Sequence, residues 1–195
     1  MPKRALIVID VQNEYFDGAL PISDPPPDLS LANIARAMDA ATEADVPVIV
    51  VRHGATDPES PIFREGSHAW ELHPDVERRA RDHLIDKTVP GSFTGTPLES
   101  ILAAAGVDTV SITGYMTHMC VDTTSRQAAH LGLAVEILSD ATGTLPLENS
   151  GGSAAGEELH RATLVAQGQF FADVVSTDEW LSRIGSTSSV ESVPG

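Results

Sequence analysis

Ala5-Leu6-Ile7-Val8-Ile9-Asp10 decides the architecture. Five consecutive apolar residues, three of them β-branched, leave no polar face. Such a strand has to be covered on both sides, as strands of a parallel sheet are. Its first polar residue, Asp10, stands where the strand should end. Downstream, Asp28 can cap a helix whose apolar positions Leu31, Ile34, Ala35, Met38 and Ala41 follow the helical period, and Val46 to Val51 is a second buried run. Together they predict a βαβ unit.

The alternation continues. Pro74 to Asp82 reads as a short charged helix before Leu84-Ile85-Asp86-Lys87, a strand closed by a lysine. Thr96, followed by Pro97 and Glu99, has the form of a capping box, and Gly106 suits the position just past the helix end. Strands are expected at Thr109 to Thr113, Leu133 to Leu138 and Ala172 to Val175. Helices are expected from about His118 to Leu131 and from Glu157 to Ala166, with a helical turn near Trp180. Six strands alternating with helices predict an α/β, doubly wound, mostly parallel six-stranded sheet with helices on both faces. A single domain over residues 1–185 accounts for them all. Residues 186–195, small and polar, read as a disordered tail.

Composition narrows the function. With 195 residues and 42% hydrophobic content, one full-sized core is available without a second domain. A net charge of −16, from 12 basic and 28 acidic residues, repels nucleic-acid phosphates and anionic lipid surfaces, so neither nucleic acid nor membrane is expected as a partner. The acidity either steers a cationic substrate or serves solubility. No apolar run reaches the length of a membrane span, and Met1-Pro2-Lys3-Arg4 has no signal-peptide core. The lone cysteine forms no internal disulfide, and a cytoplasmic location is expected. No glycine fingerprint follows the first strand, since Asp10-Val11-Gln12-Asn13-Glu14 lacks it, which disfavours a nucleotide cofactor.

Cys120 lies in Gly114-Tyr115-Met116-Thr117-His118-Met119-Cys120-Val121, where a strand ends and a helix starts. A helix N-terminus favours thiolate and makes a nucleophile, although a free cysteine is also a common small core residue. Carboxyl ends of parallel strands converge on one crevice, so Asp10, Lys87 and Cys120 can meet there. Residues 53–74 form the longest segment without periodicity and contain Phe63, His68, Trp70 and His73, the sign of a functional or mobile loop.

The segments Leu6-Ile7-Val8-Ile9-Asp10-Val11-Gln12, Lys87 and Gly114 to Val121, with Phe93, Thr96, Arg126-Gln127-Ala128 and Ser139-Asp140-Ala141, resemble the isochorismatase-like cysteine hydrolases over roughly Ala5 to Asp178. The resemblance implies that Asp10 takes the thiol proton, Cys120 attacks an amide, lactam or carbamoyl carbonyl, and Lys87 holds both groups. It implies no cofactor, and a homodimer or homotetramer. It also implies a cis peptide joining Tyr115 to Met116, with the N–H groups of Met116 and Cys120 serving the oxyanion. The zinc-binding motif of the nicotinamidase branch is missing from Arg52-His53-Gly54-Ala55-Thr56-Asp57. No metal is expected, although His53, His68 and His73 could in principle gather round one. The isochorismate-cleaving branch lacks the nucleophilic cysteine, so Cys120 favours acyl chemistry. The alternatives are vinyl-ether hydrolysis and a non-catalytic binding or scaffold protein of the same fold.

Further pocket candidates divide between two readings each. Phe16, Trp70 and Phe93 could wall a small-molecule substrate, with core packing the other reading for Phe93. Gln12 could bind a carboxamide or satisfy loop backbone, and His118 could orient substrate or merely begin a helix. Tyr115 and Thr117 are candidates by adjacency to the nucleophile.

Overall fold

A computed structural model describes residues 2–185. The tail from residue 186 onward lies outside the described residues.

The strands β1 (Arg4–Ile9), β2 (Val48–His53), β3 (His83–Lys87), β4 (Thr109–Tyr115), β5 (Ala134–Gly143) and β8 (Asp173–Val175) form one sheet in the order β3-β2-β1-β4-β5-β8, and every neighbouring pair is parallel. Between β5 and β8 a small antiparallel pair, β6 (Leu147–Asn149) and β7 (Gly152–Ala154), stands apart from the main sheet. The alternation of β1 divides the core. Leu6 and Val8 pack with Leu31, Ile34 and Met38 of α1 (Pro27–Glu43) and with Trp180 and Ile184 of α6 (Thr177–Gly185). Ala5, Ile7 and Ile9 face the other way, onto Leu98 and Leu102 of α3 (Leu98–Ala104) and Ala128 of α4 (Asp122–His130), with Leu164 of α5 (Gly156–Phe170) at the margin. Burial on both faces is why β1 carries no polar alternation.

Successive connections carry β1, β2 and β3 outward in one direction and β4, β5 and β8 in the other. The order reverses between β1 and β4, and in an open parallel sheet the carboxyl ends flanking such a switch are where a site is expected. At that place Gly114 approaches β1 so closely that a Cβ would lie 1.9 Å from the Ile9 carbonyl oxygen, and its φ is +106°. Only glycine fits.

Several local expectations are corrected. Asp28 does not cap α1; Pro26 holds the cap position and Asp28 lies within the first turn, where its charge still suits the helix N-terminus. The second strand starts at Val48, and the charged helix after Pro74 is a single turn, α2 (Pro74–Glu77). Thr96 is displaced by one residue, since Pro97 takes the α3 cap, yet Thr96 Oγ1 still accepts from the Leu98 N–H at 3.3 Å. The turn near Trp180 is a full helix, because the buried indole Nε1 donates to Ser111 Oγ at 2.7 Å and pins α6 beneath the sheet.

Residues 53–74 are held down by the loop after β1. Gln12 Nε2 donates to the carbonyls of His53 and Trp70, and Gln12 Oε1 accepts from the His53 N–H, each at 2.8 Å. Glu14 accepts from the Phe63 N–H at 3.2 Å, and the Phe63 ring sits edge-on to Tyr15 at 5.4 Å.

Candidate active site

Three strand ends supply the centre. Asp10 follows β1 with φ +52°, a left-handed conformation unusual for a side chain other than glycine, and is fully buried. Its N–H donates to the Val51 carbonyl at 2.9 Å, which ties the turn to β2. Lys87 is the last residue of β3 and 2% exposed. Cys120, 5% exposed, belongs to a π-helical turn, Thr117–Val121, between β4 and α4. Lys87 Nζ lies 2.7 Å from Asp10 Oδ2 and 3.3 Å from Cys120 Sγ. The crevice therefore brings Asp10, Lys87 and Cys120 together.

The electrostatics differ from the sequence expectation of a lowered thiol pKa. Burial pushes the Cys120 thiol well up, the Asp10 carboxylate adds to the rise, and Lys87 offsets only part of it. A helix N-terminus contributes about half an elementary charge, too little to outweigh removal of a thiolate from water. Asp10 is also raised, by burial working against the attraction of Lys87. For Lys87, burial opposes the charge, but Asp10 and Cys120 more than compensate and the net shift is upward. The 2.7 Å contact has the geometry of an ammonium–carboxylate pair, and burial opposes ionisation of the thiol beside it.

The peptide between Tyr115 and Met116 is cis. The Met116 carbonyl accepts from the N–H groups of Met119 and Val121 at 3.0 and 3.2 Å, which shapes the turn carrying Cys120. Thr117 Oγ1 pairs with His160 Nδ1 at 2.8 Å, and His118 Nδ1 with Thr144 Oγ1 at 2.6 Å, so two neighbouring elements brace it.

Other candidates are redistributed. Phe16 is partly exposed and lies 4.3 Å from the His73 ring and 5.8 Å from that of Tyr115, while Phe93 packs against the cluster that contains Cys120. Gln12 is not a free carboxamide ligand, since it is fully buried and its three hydrogen bonds go to backbone. Tyr115 is a core residue whose hydroxyl meets Ser30 Oγ at 2.9 Å, and the Thr117 hydroxyl is engaged by His160. Trp70 is turned away: the Arg52 guanidinium sits 3.6 Å over its ring, and Arg52, alternating with His53 along β2, pairs with Asp86 on the side of the sheet opposite to Lys87. His68 pairs with Asp17 at 3.0 Å and His73 stacks on Phe16, so neither joins His53, and no group of three metal-ligating side chains exists among the described residues.

One residue of this region escaped the sequence reading, and another, His53, was read there only as a possible metal ligand. Tyr15 is 2% exposed, and burial, with the charges of Asp10 and Cys120 adding to it, raises its hydroxyl well above the usual phenol range. His53 Nδ1 lies 3.3 Å from Lys87 Nζ. Their only sequence signal was position, one in the loop after Asp10 and one at the end of β2.

Comparison with known proteins agrees with this architecture. The Isochorismatase domain family matches residues 4–179. An uncharacterized isochorismatase family protein of Bacillus subtilis, YddQ, is 30% identical over 178 residues, covering 91% of this chain and 98% of the relative. The ureidoacrylate amidohydrolase RutB of Methylobacterium radiotolerans is 30% identical over 221 residues, covering 97% and 80%. A crystal structure from Burkholderia xenovorans, provisionally described as an isochorismatase, superposes with a TM-score of 0.93 at 55% identity, covering 95% of this chain and 88% of the other. With the sheet order, the switch-point crevice and these matches in agreement, the chain belongs to the isochorismatase family of hydrolases.

Proposed function

We propose that the protein is a cysteine-dependent hydrolase that cleaves the C–N bond of a small amide, lactam or carbamoyl compound through a thioester. The observation that carries this reading is the buried ammonium of Lys87, in contact with both Asp10 Oδ2 and Cys120 Sγ. The kinship with a named amidohydrolase supports it.

In the first half-reaction Asp10 accepts the thiol proton as Sγ attacks the carbonyl carbon. Burial raises the aspartate and the thiol alike, so the proton moves only as attack on the carbonyl consumes the thiolate and the Lys87 ammonium takes up its charge. The tetrahedral oxyanion takes hydrogen bonds from the N–H groups of Met116 and Cys120, each worth roughly 3 kcal/mol in the transition state. Collapse breaks the C–N bond. The nitrogen leaves with the proton held by Asp10, and the acyl group remains on sulfur. Water then gives a proton to Asp10 and attacks the thioester, and collapse of the second intermediate returns the proton to sulfur and releases the acid. Lys87 stays charged throughout and holds whichever of Asp10 and Cys120 carries the negative charge. Tyr15, Phe16 and Phe93 contribute the apolar walls, which suits a small substrate with few charges.

The test is a screen of small amides, lactams, N-carbamoyl compounds and isochorismate with wild type and Cys120→Ala, combined with mass spectrometry of acid-quenched enzyme. The expected result is release of amine or ammonia, loss of turnover in Cys120→Ala and an acyl adduct on the Cys120 peptide. Turnover that survives Cys120→Ala, or pyruvate release from isochorismate without an adduct, refutes the thioester route.

A further inference from the structure

The ammonium of Lys87 has three protons, and three acceptors surround it: Asp10 Oδ2 at 2.7 Å, Cys120 Sγ at 3.3 Å and His53 Nδ1 at 3.3 Å. The proposed chemistry uses the first two. The third is built with equal care. His53 is the last residue of β2 and pairs in register with Lys87 across the β2–β3 ladder. Gln12 holds both its N–H and its carbonyl, and its ring stands edge-on to Phe63 at 5.0 Å. Phe63 is itself 4% exposed and locked against Tyr15. The ring therefore has little freedom to leave Lys87.

An ammonium has no lone pair, so the nitrogen facing it must supply one. Nδ1 is then the unprotonated nitrogen, and the ring proton resides on Nε2. Burial and the neighbouring Lys87 charge hold the imidazole neutral, with its pKa pulled down to about 4, so the acceptor persists across the neutral range.

We propose that His53 is a positioning residue of this centre: its Nδ1 accepts the third proton of Lys87 and thereby fixes the ammonium across Asp10 and Cys120. Without that acceptor the ammonium can rotate one N–H out of the bridge, and the thiolate formed during attack loses part of its counter-charge. The role rests on the thioester reading proposed above. It goes beyond that reading in adding a fourth member to the centre.

The test needs no substrate. The rate of Cys120 alkylation by iodoacetamide is followed from neutral pH to about pH 10 in the full chain. Wild type is compared with His53→Phe, His53→Asn and Lys87→Met, and ¹⁵N NMR of wild type reads the His53 tautomer. His53→Phe keeps a flat ring against Phe63 but removes the acceptor. It is expected to slow alkylation at a given pH by about three- to tenfold, the worth of one hydrogen bond, and to move the profile to higher pH. His53→Asn, whose Oδ1 can take the place of Nδ1, should recover most of that loss, which a merely structural role would not produce. The ¹⁵N spectrum should show Nδ1 bare and Nε2 protonated, a reading that stands even if a variant fails to fold. An Nδ1-protonated ring overturns the proposal, as does a His53→Phe profile equal to wild type while Lys87→Met shifts. If Lys87→Met is equally without effect, the thioester reading fails, and the role of His53 falls with it.

Discussion

Replacing Gln12 with Leu tests whether residues 53–74 are held to the active crevice by one side chain. The substitution preserves volume but leaves the His53 N–H and the carbonyls of His53 and Trp70 without their partner, each now bonded at 2.8 Å to the fully buried Gln12 side chain. At about 1 kcal/mol for each hydrogen bond, the loss is about 3 kcal/mol. For a domain of this size each kcal/mol lowers Tm by roughly 2–4 °C, so the expected drop is roughly 6–12 °C. The damage should also be local. The amides of residues 53–74 should exchange faster by hydrogen–deuterium exchange mass spectrometry, while those of β1 and β4 keep their protection. Gln12→Glu supplies an internal control. Its carboxylate still accepts from His53 but opposes the two carbonyls, so burial beside them raises its folded pKa above the unfolded value. Relative stability is then greatest below about pH 4 and falls as pH rises through the folded pKa. A Tm loss under about 2 °C, with unchanged exchange in residues 53–74, would show that the clamp contributes nothing and that the loop is held by Phe63 and Glu14 instead.

Lys87→Met strands the Asp10 carboxylate in a buried site and should cost about 3–5 kcal/mol in urea denaturation, with part of it regained in the double variant with Asp10→Asn. Cys120 and Tyr15 both have folded pKa values above their unfolded ones, so the unfolded chain loses these protons first and stability falls as pH climbs past about 9. Cys120→Ala should flatten part of that fall when urea midpoints at neutral and alkaline pH are compared. His53 behaves oppositely: its pKa drops from 6.5 to about 4 on folding, the unfolded chain takes up the proton first, and stability declines as pH falls through that interval. After discounting for the partial exposure of the ring, the decline is about 1–2 kcal/mol, and His53→Asn should remove it from the acid limb of a pH–stability curve.

The sheet was readable because Ala5 to Ile9 and its counterparts are apolar on both faces, a pattern that local periodicity registers directly. The capping assignments fared less well. Pro26 and Pro97 occupy the cap positions expected for Asp28 and Thr96, since a proline-bearing turn can enter a helix without a side-chain cap. The β6–β7 pair escaped notice because its short strands, Leu-Glu-Asn and Gly-Ser-Ala, carry neither alternation nor β-branched residues. Trp70 read as a pocket wall because no local core called for it. Its real partner, Arg52, lies 18 positions earlier and is brought to it only by the return of the loop.

Local sequence sufficed for the order of strands and helices and for the three polar residues at strand ends. Each of these depends on side chains near one another in the chain, where the periods of helix and strand are written. Contacts between distant parts of the chain bring those ends together at the β1–β4 switch, commit Gln12 and Tyr115 to the framework, set His53 against Lys87, and bury the thiol so that its ionisation is opposed. Desolvation and Coulomb interaction act through space, so the protonation of Cys120 depends on what β1 and β3 place beside it.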